Sequence, residues 1–271
     1  MITSDFHMHC EFSSDSDSPV QAMIESAIQN GLTHICFTDH QDFAYVPSKE
    51  TPELTFQLDG DRYFETMLQY KEMYQKQIEI GIGIEFGLNT SFKQDILAMA
   101  KKYPFDFIIG SSHDANGLDP YDKSYFETLG EKDGLRIYFE SIVENSKEFD
   151  LFQSYGHLDY AARYLPSGYD FYKPEEYFDI LDVAMKQLIQ NGKGIECNSS
   201  GLKYGLGSPH PNTKLLKRYF ELGGEILTIG SDAHKPEHIA YEFQTIGELL
   251  KSIGFRYYTV FRKQKPEFLK L

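Results

Sequence analysis

Two imidazoles, His7 and His9, stand two residues apart at the end of an extended run over residues 2–9. On a strand they project from one face and form a chelating pair. The pair is echoed late in the chain, where Asp232 and His234 follow the apolar run 225–230. Between these two places His40, His113 and His157 each stand just past a strand-like apolar run, and Asp15 sits in the loop after the first run. Glu85 closes the very apolar run 78–86, where an isolated carboxylate is costly to bury unless it is paired or bound to a metal. Any one i,i+2 pair is a weak signal; the recurrence at strand after strand carries the weight. Nine nitrogen and oxygen donors are too many for one tetrahedral ion. They suit two or three divalent ions such as Zn, Mn or Fe, with a carboxylate bridging at least one pair.

The elements that must position these donors are legible as an alternation. Seven strand-like runs alternate with helices, expected over 20–28, 61–77, 91–102, 125–149, 174–191, 212–222 and 244–252, and an aromatic strand is expected over 255–261. Polar residues cluster after each strand rather than before it, which is the layout of an α/β barrel with its site at the C-terminal ends of the strands. A doubly wound open sheet also alternates, but it concentrates its site at one switch point. Residues 41–60 and 115–123 read as long loops, the first a lid over the site or a surface insertion. His34, His210 and His238 fall outside the strand-end pattern and read as ordinary core or surface histidines, the latter two on loops that could lie near the site.

The bulk composition fits one barrel domain over residues 1–271. Hydrophobic residues make up 41% of the chain, with 19 Tyr and 21 Phe but no Trp. No run approaches the roughly 20 apolar residues needed to span a bilayer, and the N-terminus enters a strand directly, so the reading is a cytoplasmic protein without a membrane partner. Three cysteines, Cys10, Cys36 and Cys197, form no CxxC pair, and reduced thiols are expected. The net charge of −15 disfavours a nucleic-acid partner.

The motifs His7-Met8-His9, Thr38-Asp39-His40, Gly83-Ile84-Glu85, Ser112-His113, Gly156-His157 and Ser231-Asp232-Ala233-His234 occur in the order and context of the polymerase-and-histidinol-phosphatase (PHP) family, which the chain resembles from its first strand to beyond Asp232. The length, Gly156-His157-Leu158-Asp159 with Arg163 after it, and Asn198-Ser199-Ser200-Gly201-Leu202 are similar to the stand-alone histidinol-phosphate phosphatases of that family. The resemblance implies a distorted (β/α)7 barrel with a trinuclear metal centre. Carried onto this sequence, it has His7, His9, Glu85 and Asp232 hold a first ion. Glu85 bridges to a second ion held by His113 and His157, and Asp15, His40 and His234 hold a third. Some family members have His where this chain has Asp15.

The implied reaction is hydrolysis of L-histidinol phosphate, a small phosphate monoester, in histidine biosynthesis. Three divalent ions against three carboxylates leave the site net positive, suited to binding phosphate and to activating water for direct in-line attack. Glu85, Asp232 and Arg163 are the expected catalytic residues, and Arg163, Lys203 and Asn198 the expected substrate contacts, Arg163 as a bidentate clamp. Asp42, Asp114 and Asp119 are acids on the long loops that could receive the substrate's cationic groups. The competing readings are a PHP phosphoesterase acting on nucleotides or DNA ends, an amidohydrolase, and a metal-binding module without activity. An amidohydrolase usually carries a bridging lysine where this chain has Glu85, and an inactive module would have lost ligands.

Overall fold

The computed structural model describes residues 1–46 and 54–271. Residues 47–53, inside the expected 41–60 loop, lie outside the described residues. Ten strands are described: β1 (Ser4–Asp5), β2 (His34–Phe37), β3 (His40–Gln41), β4 (Glu79–Gly87), β5 (Phe107–Ser111), β6 (Ser154–Tyr155), β7 (Gly194–Asn198), β8 (Leu227–Gly230), β9 (Tyr257–Arg262) and β10 (Lys265–Lys270). The described α-helices are α1 (Val20–Gln29), α2 (Gly60–Tyr74), α3 (Lys93–Lys102), α4 (Lys123–Leu129), α5 (Glu131–Glu148), α6 (Phe178–Gln190), α7 (Ser200–Lys203), α8 (Thr213–Glu221) and α9 (Phe243–Ile253).

The main sheet runs β1-β2-β4-β5-β6-β7-β8 with every neighbouring pair parallel, and β3 adds a short parallel pairing to β4. Its two ends meet. The Phe6 amide donates to the Ile229 carbonyl at 3.0 Å, the His9 amide to the Ala233 carbonyl at 2.8 Å, and the Asp232 amide to the His7 carbonyl at 2.8 Å. The sheet is therefore a nearly closed, distorted (β/α)7 barrel, as the alternation predicts. Central β4 is buried on both faces along almost its whole length, which is why it reads as a continuous apolar run. Helices cover the outside through stripes at helical spacing, such as Val20, Met23, Ile24 and Ala27 on α1 and Leu181, Ala184, Met185 and Leu188 on α6.

The barrel's N-terminal end is closed by the β9–β10 hairpin. Phe107 packs between Phe6 at 5.4 Å and Phe261 at 5.1 Å between ring centroids, and Thr259 Oγ1 accepts from the Leu227 amide at 3.2 Å. This leaves the opposite rim for the donors. Three local expectations change. The run 2–9 is a regular strand only over Ser4–Asp5, with residues 6–9 held instead by single bonds to β8 and the segment after it. The helix expected over 125–149 is two helices, broken at Gly130, whose φ of 75° ends α4. Strand β10 is additional to the expected elements.

Closure of the barrel rests on Asp5, which is fully buried. Its Oδ1 accepts from the amides of Ser231 at 2.9 Å and His7 at 3.3 Å, and its Oδ2 from Ser231 Oγ at 2.5 Å and the Ala240 amide at 3.1 Å. Four donors converge on one carboxylate that ties β1 to the segment after β8. Asp5→Asn turns one acceptor oxygen into a donor facing donors and is expected to cost about 1–3 kcal/mol. Urea unfolding at pH 8, with an unchanged slope against denaturant, measures that loss.

Candidate metal centre

Because all the main strands are parallel, their C-terminal ends share one rim, and the nine donors gather there. Glu85, completely buried near the end of β4, is the centre. Its two oxygens face different groups. Oε2 lies 3.2 Å from His7 Nε2 and 3.6 Å from His9 Nε2, while Oε1 lies 3.0 Å from His157 Nε2 and 3.3 Å from His113 Nε2. The first group is completed by Asp232 Oδ1, 3.7 Å from His7 Nε2 and 3.4 Å from His9 Nε2, while the two imidazole Nε2 atoms are 3.0 Å apart. Four donors about 2.0–2.1 Å from a tetrahedral zinc stand roughly 3.3 Å from one another. The five spacings of 3.0–3.7 Å that link His7 and His9 to each other, to Glu85 and to Asp232 fit that donor cage.

The remaining donors lie on the outer side, His40 also bringing its Nδ1 to 3.0 Å from Glu85 Oε2. Asp15 Oδ2 is 3.1 Å from His234 Nε2 and 3.7 Å from His40 Nε2. The His9 ring is stacked between His40 and His234 at 4.2 Å from each, so donors of His9, His40 and His234 also converge within 4.8 Å. All nine expected donors thus stand in one constellation. Asp232 reaches it through a left-handed backbone with φ of 52°, not by simple strand alternation.

For four of the imidazoles the ring orientation is set by a hydrogen bond from Nδ1, which leaves Nε2 free to ligate. His7 Nδ1 is 2.6 Å from Glu196, His113 Nδ1 is 2.6 Å from Asp42, His9 Nδ1 is 3.1 Å from Ser13 Oγ, and His234 Nδ1 is 3.1 Å from the Asp232 carbonyl. Ser13 Oγ donates in turn to Asp39 at 2.8 Å, and Ser111 Oγ donates to Glu85 at 2.6 Å. Glu196, Asp39, Ser13 and Ser111 are additional to the sequence-derived set. Glu196 carries the same signal that exposes Glu85, an acid within an apolar run.

Burial alone would raise Glu85, but His7, His40 and His113 hold it well below the usual carboxylate range. Burial opposes charge on His7 and His113 too, yet Glu196 and Glu85 beside His7, and Asp42 and Glu85 beside His113, push both upward, and Glu85 with Asp15 lifts His40 to about 9. His9, crowded by burial and by the His234 and His40 rings, is held neutral. Without a metal the site thus draws protons to balance its carboxylates, and divalent ions would compete with those protons for the same nitrogens.

The expected substrate residues divide. Arg163 lies against the rings of Tyr160, Tyr164 and Tyr204 at 5.0, 4.7 and 4.3 Å, with Asp232 contributing to its field and no carboxylate in ion-pair contact among the described residues. Lys203 Nζ donates to the Asp232 carbonyl at 3.3 Å. Asn198 has both amide hydrogens engaged, with Glu196 at 3.1 Å and Asp232 at 3.3 Å, so its side chain supports the donors rather than facing a ligand with a free donor. Asp42 is likewise spent on His113 and on the Gly87 amide at 2.9 Å, and Asp114 on Asn89 at 3.0 Å. Among the described residues the Asp119 carboxylate accepts from the Tyr121 amide alone, at 2.8 Å, and burial pushes it up to about 6. Phe56, from the far side of the 41–60 loop, packs edge-on to His40 at 5.1 Å. His210 is buried with Nδ1 2.6 Å from Asp159, and its backbone pairs with Asn198. His34 packs edge-on to Phe6 at 4.7 Å, away from the donors, and Cys10 donates its thiol to Asp39 at 3.1 Å, a packing position rather than a ligand.

Comparison with known proteins gives a consistent picture. Residues 5–200 match the model of the PHP domain. The chain is 30% identical over 268 residues to the histidinol-phosphatase of Lactococcus lactis, covering 96% of this chain and 95% of that protein. It is 31% identical to a probable histidinol-phosphatase of Clostridium acetobutylicum, covering 93% and 94%. The crystal structure of histidinol phosphate phosphatase from Lactococcus lactis, complexed with zinc, L-histidinol and phosphate, superposes with a TM-score of 0.89 at 30% identity over 98% of each chain.

The two-sided placement of Glu85 gives a direct prediction. Glu85→Gln keeps the shape but removes the charge shared by both donor groups, so bound metal measured by elemental analysis is expected to fall by at least one equivalent. Turnover should drop by at least about 100-fold.

Proposed function

This chain belongs to the PHP-domain family, and we infer that it hydrolyses L-histidinol phosphate to L-histidinol and phosphate. The observation that carries the reading is the two-sided Glu85 carboxylate between two donor groups, in a chain matched over nearly its full length to a histidinol-phosphatase. The protein is a metal-dependent phosphomonoesterase. Three divalent ions, Zn, Mn or Fe, are held as follows: the first by His7, His9, Glu85 and Asp232, the second by Glu85, His113 and His157, and the third by Asp15, His40 and His234. Nitrogen and carboxylate donors without a thiolate suit such borderline ions. When bound, they supply phosphate-oxygen binding and activation of water.

The chain's own residues do the rest. Glu85 and Asp232 hold negative charge where the donors need it, and burial keeps bulk water from screening Glu85, while Asp232 stays partly exposed at the rim. Arg163, free of an acidic partner among the described residues, offers its planar fork to a phosphate, and the three tyrosine rings keep the guanidinium from wandering. Lys203 adds a second cation near Asp232. At the other end of the substrate, Asp119 is the loop acid with capacity left for the amino group or the imidazole. The 271 residues act as one PHP-type domain, the β9–β10 hairpin sealing the end opposite the site. No helix among the described residues is long and apolar enough to cross a membrane, and three buried free cysteines fit the reducing cytoplasm.

Phosphate release measured across histidinol phosphate, nucleotides, sugar phosphates and short DNA, with enzyme refilled separately with Zn, Mn and Fe, tests the reading. A strong preference for histidinol phosphate is expected; preference for a nucleotide or for DNA ends would reassign the substrate. In the same assay Arg163→Ala should lower kcat/KM roughly 10- to 100-fold with metal content intact. Arg163→Lys should recover part of it, because a lysine keeps the charge without the fork.

A further inference from the structure

Strand β7 is the one strand of the main sheet that carries none of the nine donors either within it or in the segment that follows, yet it carries a carboxylate, Glu196, that is only 1% exposed. Glu196 Oε1 lies 2.6 Å from His7 Nδ1. Its Oε2 accepts from the backbone amide of His157 at 3.0 Å and from Asn198 Nδ2 at 3.1 Å, and the same Asn198 amide group reaches Asp232 Oδ2 at 3.3 Å. A single side chain therefore touches the ring of a first-ion donor, the backbone that carries a second-ion donor and, through Asn198, another first-ion donor. The neighbouring backbone is shaped for this contact. A Cβ on Gly230 would stand 2.4 Å from Glu196 Oε1 and 2.3 Å from His7 Cβ, so a side chain at 230 would displace one of the two.

We propose that Glu196 is the positioning residue that fixes His7 as an Nε2 ligand and locks the first and second metal sites into one register. The proposal rests on the metal assignment above. Its chemistry demands a carboxylate, because the two backbone and amide neighbours are donors and His7 must donate through Nδ1 to keep Nε2 free. Glutamine cannot meet that demand in either orientation. With its oxygen toward His7, its NH2 faces the His157 and Asn198 donors. With its oxygen toward those two, its NH2 donates to His7 Nδ1, which moves the ring proton to Nε2 and blocks ligation.

The experiment is a zinc titration of the metal-free full chain against a chromophoric chelator, for wild type and Glu196→Gln. Glu196→Gln is expected to keep the wild-type far-UV circular dichroism while binding zinc at least about 10-fold more weakly. Equal zinc affinity in a folded Glu196→Gln overturns the role of Glu196. Should the variant not fold, nitrogen-15 histidine spectra of the zinc-loaded wild type decide the matter. A His7 Nδ1–H protected from exchange is expected, and a His7 ring without that proton overturns the proposal. Wild-type protein that binds no zinc overturns the metal assignment itself, a result distinct from equal binding by both proteins.

Discussion

A carboxylate with no exposed surface, set in an apolar strand at the centre of a parallel barrel, is the constraint on which this structure depends. Glu85 cannot be left alone there, because an unpaired buried charge costs far more than a single contact returns. The fold answers by surrounding it with imidazoles from β1, the β2–β3 segment, β5 and β6. That solution is conditional. Neutral imidazoles do not offset a negative charge, so either protons or metal ions must enter, and the upward push on His7, His40 and His113 is the proton version of the same balance. Because these groups hold protons in the metal-free state to higher pH than free imidazole does, metal uptake releases protons and weakens as pH falls.

The barrel then converts a chain-wide pattern into one site. Parallel strands in chain order present their C-terminal ends to the same rim, so donors separated by more than two hundred residues meet without any of them belonging to a long local motif. Closure is the demanding step, since β1 is only two residues long and is held to the β8 side by isolated bonds and by Asp5. Precision at the site is therefore invested in side-chain carboxylates under the rim, Asp5, Asp39, Asp42 and Glu196, rather than in long ladders of backbone pairing. Each accepts from several donors at once and fixes a backbone segment, and Asp42 and Glu196 also hold an imidazole directly, Asp39 one through Ser13.

The donors were legible in the sequence because ionisable residues at the ends of apolar runs violate the local pattern, and violations of that kind mark sites. The partners that orient them were not. Asp42 and His113 are 71 residues apart and nothing local links them, so the role of Asp42 as the Nδ1 partner of His113 emerges only in three dimensions. Glu196 breaks its apolar strand as plainly as Glu85 does, but a search for ligands passes over an acid whose neighbours are other side chains. Strand β10 escaped for a different reason. Its hairpin turns at Lys263-Gln264, both with positive φ, where the usual Asn-Gly or Asp-Gly signal is absent. Gly130 is the converse case, a residue whose positive φ splits one expected helix into two, although a lone glycine in a helical pattern does not announce a break.

The acidic surface and the anion-binding rim are complementary rather than contradictory. A net charge of −15 sets the long-range field, which opposes polyanions, whereas within the rim the field would be set by divalent ions together with Arg163 and Lys203. A small phosphate monoester that carries its own ammonium group is opposed less by that outer field than a polyanion is, and its phosphate would be held only at close range. Arg163 is suited to that task because aromatic rings, not carboxylates, hold it in place, leaving its charge uncancelled.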